Sequence, residues 1–253
     1  GVRRRRKAKA DAAPAPPAPA ATLAAAQAPA APAQAAASTG AACGLFVAGD
    51  VVLLVGEGDF SFSCALVDKM RDSIFVVATV LDTMKGLCSK YPGAKANVQR
   101  LKAAGMEVKC GLDCRQLHKV EAFQGTFTKI VFNFPHLGGD GDSTAAHQQL
   151  LRDFFASAAA CLEPLPRAEV LVTLKAGEPY KDWAVAQMAK LTGLFRLDRV
   201  VPFDATRYAG YAHCRTRGAA YAEARGFNEV NVSTGAQTYV FGLRRTLLEG
   251  GGA

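Results

Sequence analysis

The chain predicts an α/β fold built on a seven-stranded, mostly parallel sheet. Three observations carry that reading. An apolar run, VVLLV, stops at Gly56-Glu57-Gly58; a second, ATVLD, stops at Asp82; a third, KIVFN, passes into Phe134-Pro135-His136. Short apolar runs that end on glycine, an acid or a rigid turn describe buried parallel strands whose carboxyl ends line a crevice.

The order of elements follows from periodicity. Strands are expected near 51–55, 74–80, 106–110, 128–134, 168–174, 195–202 and 237–243, and helices near 61–71, 94–104, 144–162 and 180–192. In the third helix Leu150, Leu151, Phe154, Phe155, Ala158 and Leu162 recur close to the helical period and make a sheet-packing face. Alternating strands and helices imply a parallel sheet covered on both faces. The last strand follows a long loop rather than a helix, so it is expected as an antiparallel edge partner.

Ahead of this domain, residues 3–9 read RRRRKAK, and Ala, Pro and Gln then dominate. Such a stretch has almost nothing to bury against its ordering entropy, so residues 1–43 are read as a disordered tail, 44–246 as the folded domain and 247–253 as a flexible end. The tail holds six Lys or Arg against Asp11 alone, a net +5 out of the chain's +8, which leaves the domain only mildly basic. The basic run reads as a nuclear or nucleolar address or an electrostatic arm for nucleic acid; a transit peptide competes, against the scarcity of Ser. A nuclear, nucleolar or cytoplasmic location is expected, with an organelle left open. Every apolar run falls short of the roughly 20 residues that cross a bilayer, so no membrane partner is expected. The seven cysteines are scattered without a C-x-x-C pair, as reduced thiols are. Cys110, Cys114 and His118 are evenly spaced, but Gly111 and Asp113 break the helix that would align them, and no metal is expected.

The chemistry is expected at the strand ends. Gly56, Glu57 and Gly58 turn the chain sharply into a helix and let the backbone approach a ligand. Asp82 is placed to accept both ribose hydroxyls of a nucleoside, and Asp113 to meet an adenine edge. For each acid alone, a helix cap or solvated turn is an equal reading; together they favour a nucleoside. Glu57 inside the glycine turn repels a pyrophosphate, whereas the sulfonium and amino groups of S-adenosylmethionine suit an acid, which favours a methyl donor over NAD. Asn133, Phe134, Pro135 and His136 combine an amide, a stacking ring, a fixed turn and an imidazole, an arrangement that holds the edge of a flat base. Lys175 follows the fifth strand. Tyr208, Tyr211, His213, Arg215 and Arg217 interleave aromatic and basic groups, as RNA-contacting segments do.

With these residues in place, the chain resembles the Rossmann-like methyltransferase domain family of the fungal 25S rRNA uridine-N(3)-methyltransferase and its plant and animal relatives. The likeness spans roughly residues 50–217. It rests on VGEGDFSFS at 55–63, ATVLD at 78–82, KYPGAKAN at 90–97, Asp113 to Leu117, IVFNFPHLGG at 130–139, LLRDFF at 150–155, VTLK at 172–175, PYKDW at 179–183 and GYAHCRTRG at 210–218. Ala209 stands where the family usually has proline, which loosens that segment.

The resemblance implies a class I methyltransferase fold, S-adenosylmethionine as cofactor, and methylation of a uridine ring nitrogen in large-subunit rRNA, alone or in a pre-ribosomal particle. It implies donor contacts at Gly56, Glu57, Gly58, Asp82 and Asp113, and the target base at Asn133 to His136. Removal of the imide proton needs a base, for which His136 and Asp59 are both candidates. Two other functions compete: a non-catalytic RNA-binding or ribosome-assembly factor that keeps the fold, and an NAD-linked oxidoreductase.

Overall fold

The computed structural model describes residues 44–138, 143–214 and 235–244; the tail read at 1–43, Arg215, Arg217 and the end at 247–253 lie outside the described residues. Seven strands form one sheet: β1 Val51–Val55, β2 Phe75–Val80, β3 Glu107–Cys110, β4 Lys129–Asn133, β5 Glu169–Leu174, β6 Phe195–Pro202 and β7 Gln237–Leu243. Among the described residues five α-helices accompany them: α1 Ser61–Met70, α2 Met84–Lys90, α3 Ala94–Ala103, α4 Thr144–Ala159 and α5 Val185–Leu191.

The sheet order is β3-β2-β1-β4-β5-β7-β6. The first five strands in that row pair in parallel, while β7 runs antiparallel to both of its neighbours. The antiparallel end of the sheet is therefore present as expected, with one refinement: β7 is inserted between β5 and β6, and β6 is the outermost strand. The direction reverses at β1, with β2 on one side and β4 on the other, and that switch point opens the crevice at the strands' carboxyl ends.

Alternate residues of β1 feed two cores. Val52 and Leu54 pack with Phe62 and Leu66 of α1 and with Val98 and Leu101 of α3 on one face. Leu53 and Val55 pack with Leu151, Phe154 and Phe155 of α4 and Met188 of α5 on the other. Phe154 and Phe155 are wholly buried, each stabilising by about 1.5–3 kcal/mol relative to an exposed side chain.

Two elements differ from expectation. The helix read at 180–192 is a 3-10 turn, Tyr180–Trp183, followed by α5, because Ala184 lies in the left-handed region at φ 48° and breaks the run. Helix α2 escaped the periodicity search, since it carries Gly86 and buries only Leu87; it is started by Thr83, whose hydroxyl accepts from Gly86 N–H at 3.3 Å.

Candidate active site at the carboxyl ends of the parallel strands

A cleft of about 580 Å³ opens at the carboxyl ends of the parallel strands, a volume typical of small-ligand sites. Gly56, Glu57, Gly58 and Asp59 enter it from the turn after β1, Asp82 from the turn after β2, and Asp113 from beyond β3. Asn133, Phe134 and His136 enter from the end of β4, Lys175 from the end of β5, and Tyr211 and His213 from the segment after β6. Residues far apart in the chain thus meet in one place.

The glycine turn is built tightly. Gly56 has φ +66°, and a β-carbon there would lie 2.6 Å from the Phe132 ring, so both conformation and space require glycine. The next turn feeds α1 through Phe60, itself at φ 64°. Two of the free N–H groups at the start of α1, those of Ser61 and Ser63, are already engaged. Asp59 Oδ1 accepts from Ser61 N–H at 2.9 Å, and Glu57 Oε2 accepts from Ser63 N–H at 3.2 Å and from the Ser63 hydroxyl at 2.6 Å. A helix end that would attract a pyrophosphate here holds two of the protein's own carboxyls. Burial pushes the Glu57 carboxyl up to about 7, against the two Ser63 hydrogen bonds, which favour ionisation. The repulsion expected from Glu57 is thus softened near neutrality, and it is the occupied helix end that argues against a dinucleotide.

The two acids lie beyond the strands rather than at their last residues. Asp82 sits two residues past β2 and receives Lys90 Nζ on both oxygens, at 2.8 and 2.9 Å. The pair is part-exposed, and each carboxylate oxygen retains a second lone pair for a ligand hydroxyl. Asp113 starts the 3-10 turn Cys114–Lys119, accepting from Arg115 N–H at 2.9 Å. Arg115 also grips the same carboxylate, and its hydrogen bonds hold Asp113 below the usual carboxylate range. This correction has a local cause: Gly111, at φ +76°, turns the chain after β3 and carries the acid into a helix-capping place.

The Asn133–His136 turn continues β4. Phe134 adopts φ 52°, unusual for a residue with a side chain, and is held by its N–H on Thr173 O at 2.8 Å and by its ring 4.4 Å from His213. Pro135 is buried beneath the turn and does not line the cleft. His136 Nδ1 accepts from Gly138 N–H at 3.2 Å, which leaves the ring proton of the neutral imidazole on Nε2. Behind it, His147 lies flat on Trp183 with centroids 3.8 Å apart, donates from Nδ1 to Ser143 O and receives Leu137 N–H on Nε2 at 3.4 Å. Helix α4 thereby buttresses the turn.

The described part of the segment read as an RNA platform, which includes Tyr208, Tyr211 and His213, packs its tyrosine rings inward. Tyr208 is buried, its ring 4.7 Å from Phe62 and stacked on Phe203, so it is a core residue and offers no face to a base. Tyr211 packs edge-on to Phe62 and its hydroxyl meets His213 Nδ1 at 3.1 Å. Burial drives the Tyr211 phenol well above its usual range and keeps it neutral. Ser61 pins this segment to α1, exchanging hydrogen bonds with the Ala212 backbone. Apolar attraction to Phe62 and Phe134 explains the inward fold; the charged neighbours in the sequence had pointed outward.

Several site residues were missed individually: Lys90, Tyr91, Arg115, Thr173, His147 and Trp183. The segments KYPGAKAN and PYKDW, which carry the family resemblance, contain Lys90, Tyr91 and Trp183. His147 had no signal beyond its place on α4. Among the described residues no group of three or more His, Cys, Asp or Glu is arranged to hold a metal.

A sheet in this order, with a cleft at the switch point, defines a Rossmann-like methyltransferase fold. The chain belongs to the BMT5-like family, described as rRNA (uridine-N3-)-methyltransferase BTM5-like, whose sequence model matches residues 53–215. It is 39% identical over 173 residues to the mouse ferredoxin-fold anticodon-binding domain-containing protein 1 homolog, which covers 63% of this chain and 27% of that protein. It is 26% identical over 229 residues to the 25S rRNA (uridine(2634)-N(3))-methyltransferase of Saccharomyces cerevisiae, covering 68% of this chain and 67% of that protein. The chain thus spans about a quarter of the mouse relative's length. Among solved structures, TrmN from Thermus thermophilus aligns with a TM-score of 0.47 and 18% identity, covering 78% of this chain and 45% of that one.

Proposed function

We propose that this protein is an S-adenosylmethionine-dependent RNA methyltransferase acting on N3 of a uridine in large-subunit rRNA. The observation that carries the reading is the pair Glu57 and Asp59 closing the amino end of α1 within a cleft that also presents Asp82 and Asp113. Carboxyls already seated on that helix end suit a ligand with cationic amino and sulfonium groups and oppose a phosphate there, while Asp82 and Asp113, held by Lys90 and Arg115, offer hydrogen-bond acceptors. The family description supports the RNA base as acceptor.

The residues present fit that cofactor. Gly56 and Gly58 bring backbone to one wall of the cleft, Asp82 offers acceptors to ribose hydroxyls, and the Asp113–Cys114 turn offers a polar edge to adenine. When bound, S-adenosylmethionine supplies an electrophilic methyl group. The protein's task is to hold uridine N3 in line with that carbon and to receive the N3 proton, contributions of the kind that positioning and general-base groups make. His136 already accepts a hydrogen bond at Nδ1, so its basic lone pair is engaged; this favours Asp59 as proton acceptor, with His136 donating from Nε2. A nucleolar or cytoplasmic site of action is consistent with an rRNA substrate.

The test pairs two measurements. Calorimetric titration should register S-adenosylmethionine binding, and incubation with unmodified large-subunit rRNA should yield 3-methyluridine on mass spectrometry of nucleosides. Asn133→Ala should leave donor affinity near normal and lower methyl transfer by about a hundredfold, the scale of losing one positioned polar group. Absence of donor binding overturns the cofactor reading. Donor binding without transfer to any RNA favours a non-catalytic assembly factor.

A further inference from the structure

Asn133, Thr173 and Thr238 stand in register on three adjacent strands, β4, β5 and β7. The Thr173 hydroxyl lies 2.7 Å from Asn133 Oδ1 and 2.9 Å from Thr238 Oγ1. A hydroxyl has one proton to give, and an amide oxygen can only accept. Thr173 therefore donates to Asn133 Oδ1, and Thr238 donates to Thr173. Thr173 and Thr238 are buried, so water does not compete for this relay.

The consequence falls on the other half of the amide. With Oδ1 anchored, Asn133 has Nδ2 left, and this nitrogen is sealed from solvent with no hydrogen-bond partner among the described residues. It is the one buried side-chain nitrogen or oxygen in that condition among them. Leaving such a group unmet carries a desolvation cost that a native fold rarely sustains without use. Asn133 also lines the cleft.

We infer that the Thr238–Thr173 relay fixes the Asn133 amide as a hydrogen-bond donor toward the target base, and so selects a base that presents a carbonyl beside the reacting nitrogen. The inference rests on the methyltransferase reading and specifies its substrate class. A uridine N3 is flanked by two carbonyl oxygens. When N3 gives up its proton to a base in the cleft, the remaining charge spreads onto those oxygens, where an N–H donor binds more tightly than it did in the ground state. An exocyclic amino group, as on cytosine or adenine, instead needs an acceptor from the protein. The oxygen of this amide is held by Thr173, and the group left without a partner among the described residues is the donor Nδ2. Asn133 is thus a specificity-determining residue, and Thr173 and Thr238 are positioning residues that act through it.

The experiment uses the full chain with unmodified large-subunit rRNA and four proteins: wild type, Thr173→Val, Thr173→Ser and Asn133→Asp. Valine keeps the shape of threonine and removes the donor; serine keeps the donor and removes the methyl. Thermal unfolding and S-adenosylmethionine titration establish that each variant is folded and binds donor within about twofold of wild type. Expected for Thr173→Val is a fall in kcat of at least tenfold with KM for RNA changed by less than threefold, reversed to within threefold in Thr173→Ser. Asn133→Asp, which turns the donor into an acceptor, should lose transfer by a hundredfold or more. A readout independent of turnover is the 15N-resolved side-chain amide of Asn133, whose resonances should shift on adding an oligouridine and stay in place with the matched abasic strand. Three results overturn the inference while leaving a methyltransferase standing: Thr173→Val turning over like wild type, Thr173→Val and Thr173→Ser equally impaired, or a product methylated on an exocyclic amine. Wild type that binds donor yet methylates no RNA overturns the underlying reading and the inference with it.

Discussion

Glu57 Oε2 receives both the backbone N–H and the hydroxyl of Ser63, six residues on, at the buried start of α1. A carboxyl with a folded pKa near 7, above the 4.5 of its ordinary state, is better accommodated when protonated. Its contribution to stability is complete below pH 4.5 and is lost as pH rises through about 7. Relative to Glu57→Gln, whose amide oxygen can still accept from Ser63, wild type should lose on the order of 3 kcal/mol of unfolding free energy between pH 5 and pH 8. Denaturant titrations at both pH values check this; parallel changes in the two proteins would show that Glu57 is not the titrating group. Donor affinity should run the other way, rising with pH in wild type and flat in the variant.

Asp82 and Lys90 separate a structural from a ligand role. Their ion pair is part-exposed on both sides, so its net worth is at most about 1 kcal/mol and removing either partner should leave the fold intact. Asp82→Ala should weaken S-adenosylmethionine at least tenfold, since hydrogen bonds to a charged group are worth about 1.5–3 kcal/mol each. Lys90→Ala should change affinity less than threefold. Equal losses in the two variants, read by calorimetry, would return Asp82 to a purely structural partner of Lys90.

Ser61 and Ala212 test whether the inward-folded segment is held to the donor side of the cleft. Ser61→Ala removes both hydrogen bonds, of 3.2 and 3.3 Å. At about 1 kcal/mol each, their loss should speed hydrogen exchange at the Ala212 amide by roughly ten- to thirtyfold, with little change in β1. Unchanged exchange at Ala212 would mean that the Phe62–Tyr211 contact alone holds the segment.

Residues 1–42 carry a net +5 with almost nothing to bury. Deleting them should leave donor binding intact and flatten the dependence of RNA affinity on salt concentration, because fewer counterions are released from phosphates. Loss of donor binding in the truncated protein would place the domain boundary earlier in the chain.

Strand positions were legible because buried parallel strands are continuous apolar runs bounded by turn residues, and β1, β2 and β4 advertise themselves that way. The cleft was legible in outline for the same reason: whatever follows those runs must face the switch point. Three features were not. Helix α2 has one buried side chain and a central glycine, so it leaves no periodic trace. Tyr208 and Tyr211 read as nucleic-acid contacts beside Arg215 and Arg217, and only the three-dimensional proximity of Phe62 reveals that the rings turn inward. Thr173 and Thr238 look like ordinary β-formers; their tie to Asn133 depends on strand registers that bring positions 133, 173 and 238 into one row.

Strand β7 makes the sheet depend on a segment that is synthesised well after its neighbours. Because among the described strands β6 pairs only with β7, and β7 joins it to β5, residues 195–202 cannot join the sheet until residues 237–243 have arrived. During synthesis β5 therefore keeps one flank unpaired until β7 has emerged, and β7 then closes an interior gap in the sheet. Thr238 travels on that strand. A chain cut short before residue 237 would retain every group that lines the cleft and still lack the hydroxyl at the head of the row that ends on Asn133. Synthesis as far as β7 is in this sense a checkpoint: the amide is oriented only in a molecule that has reached Thr238.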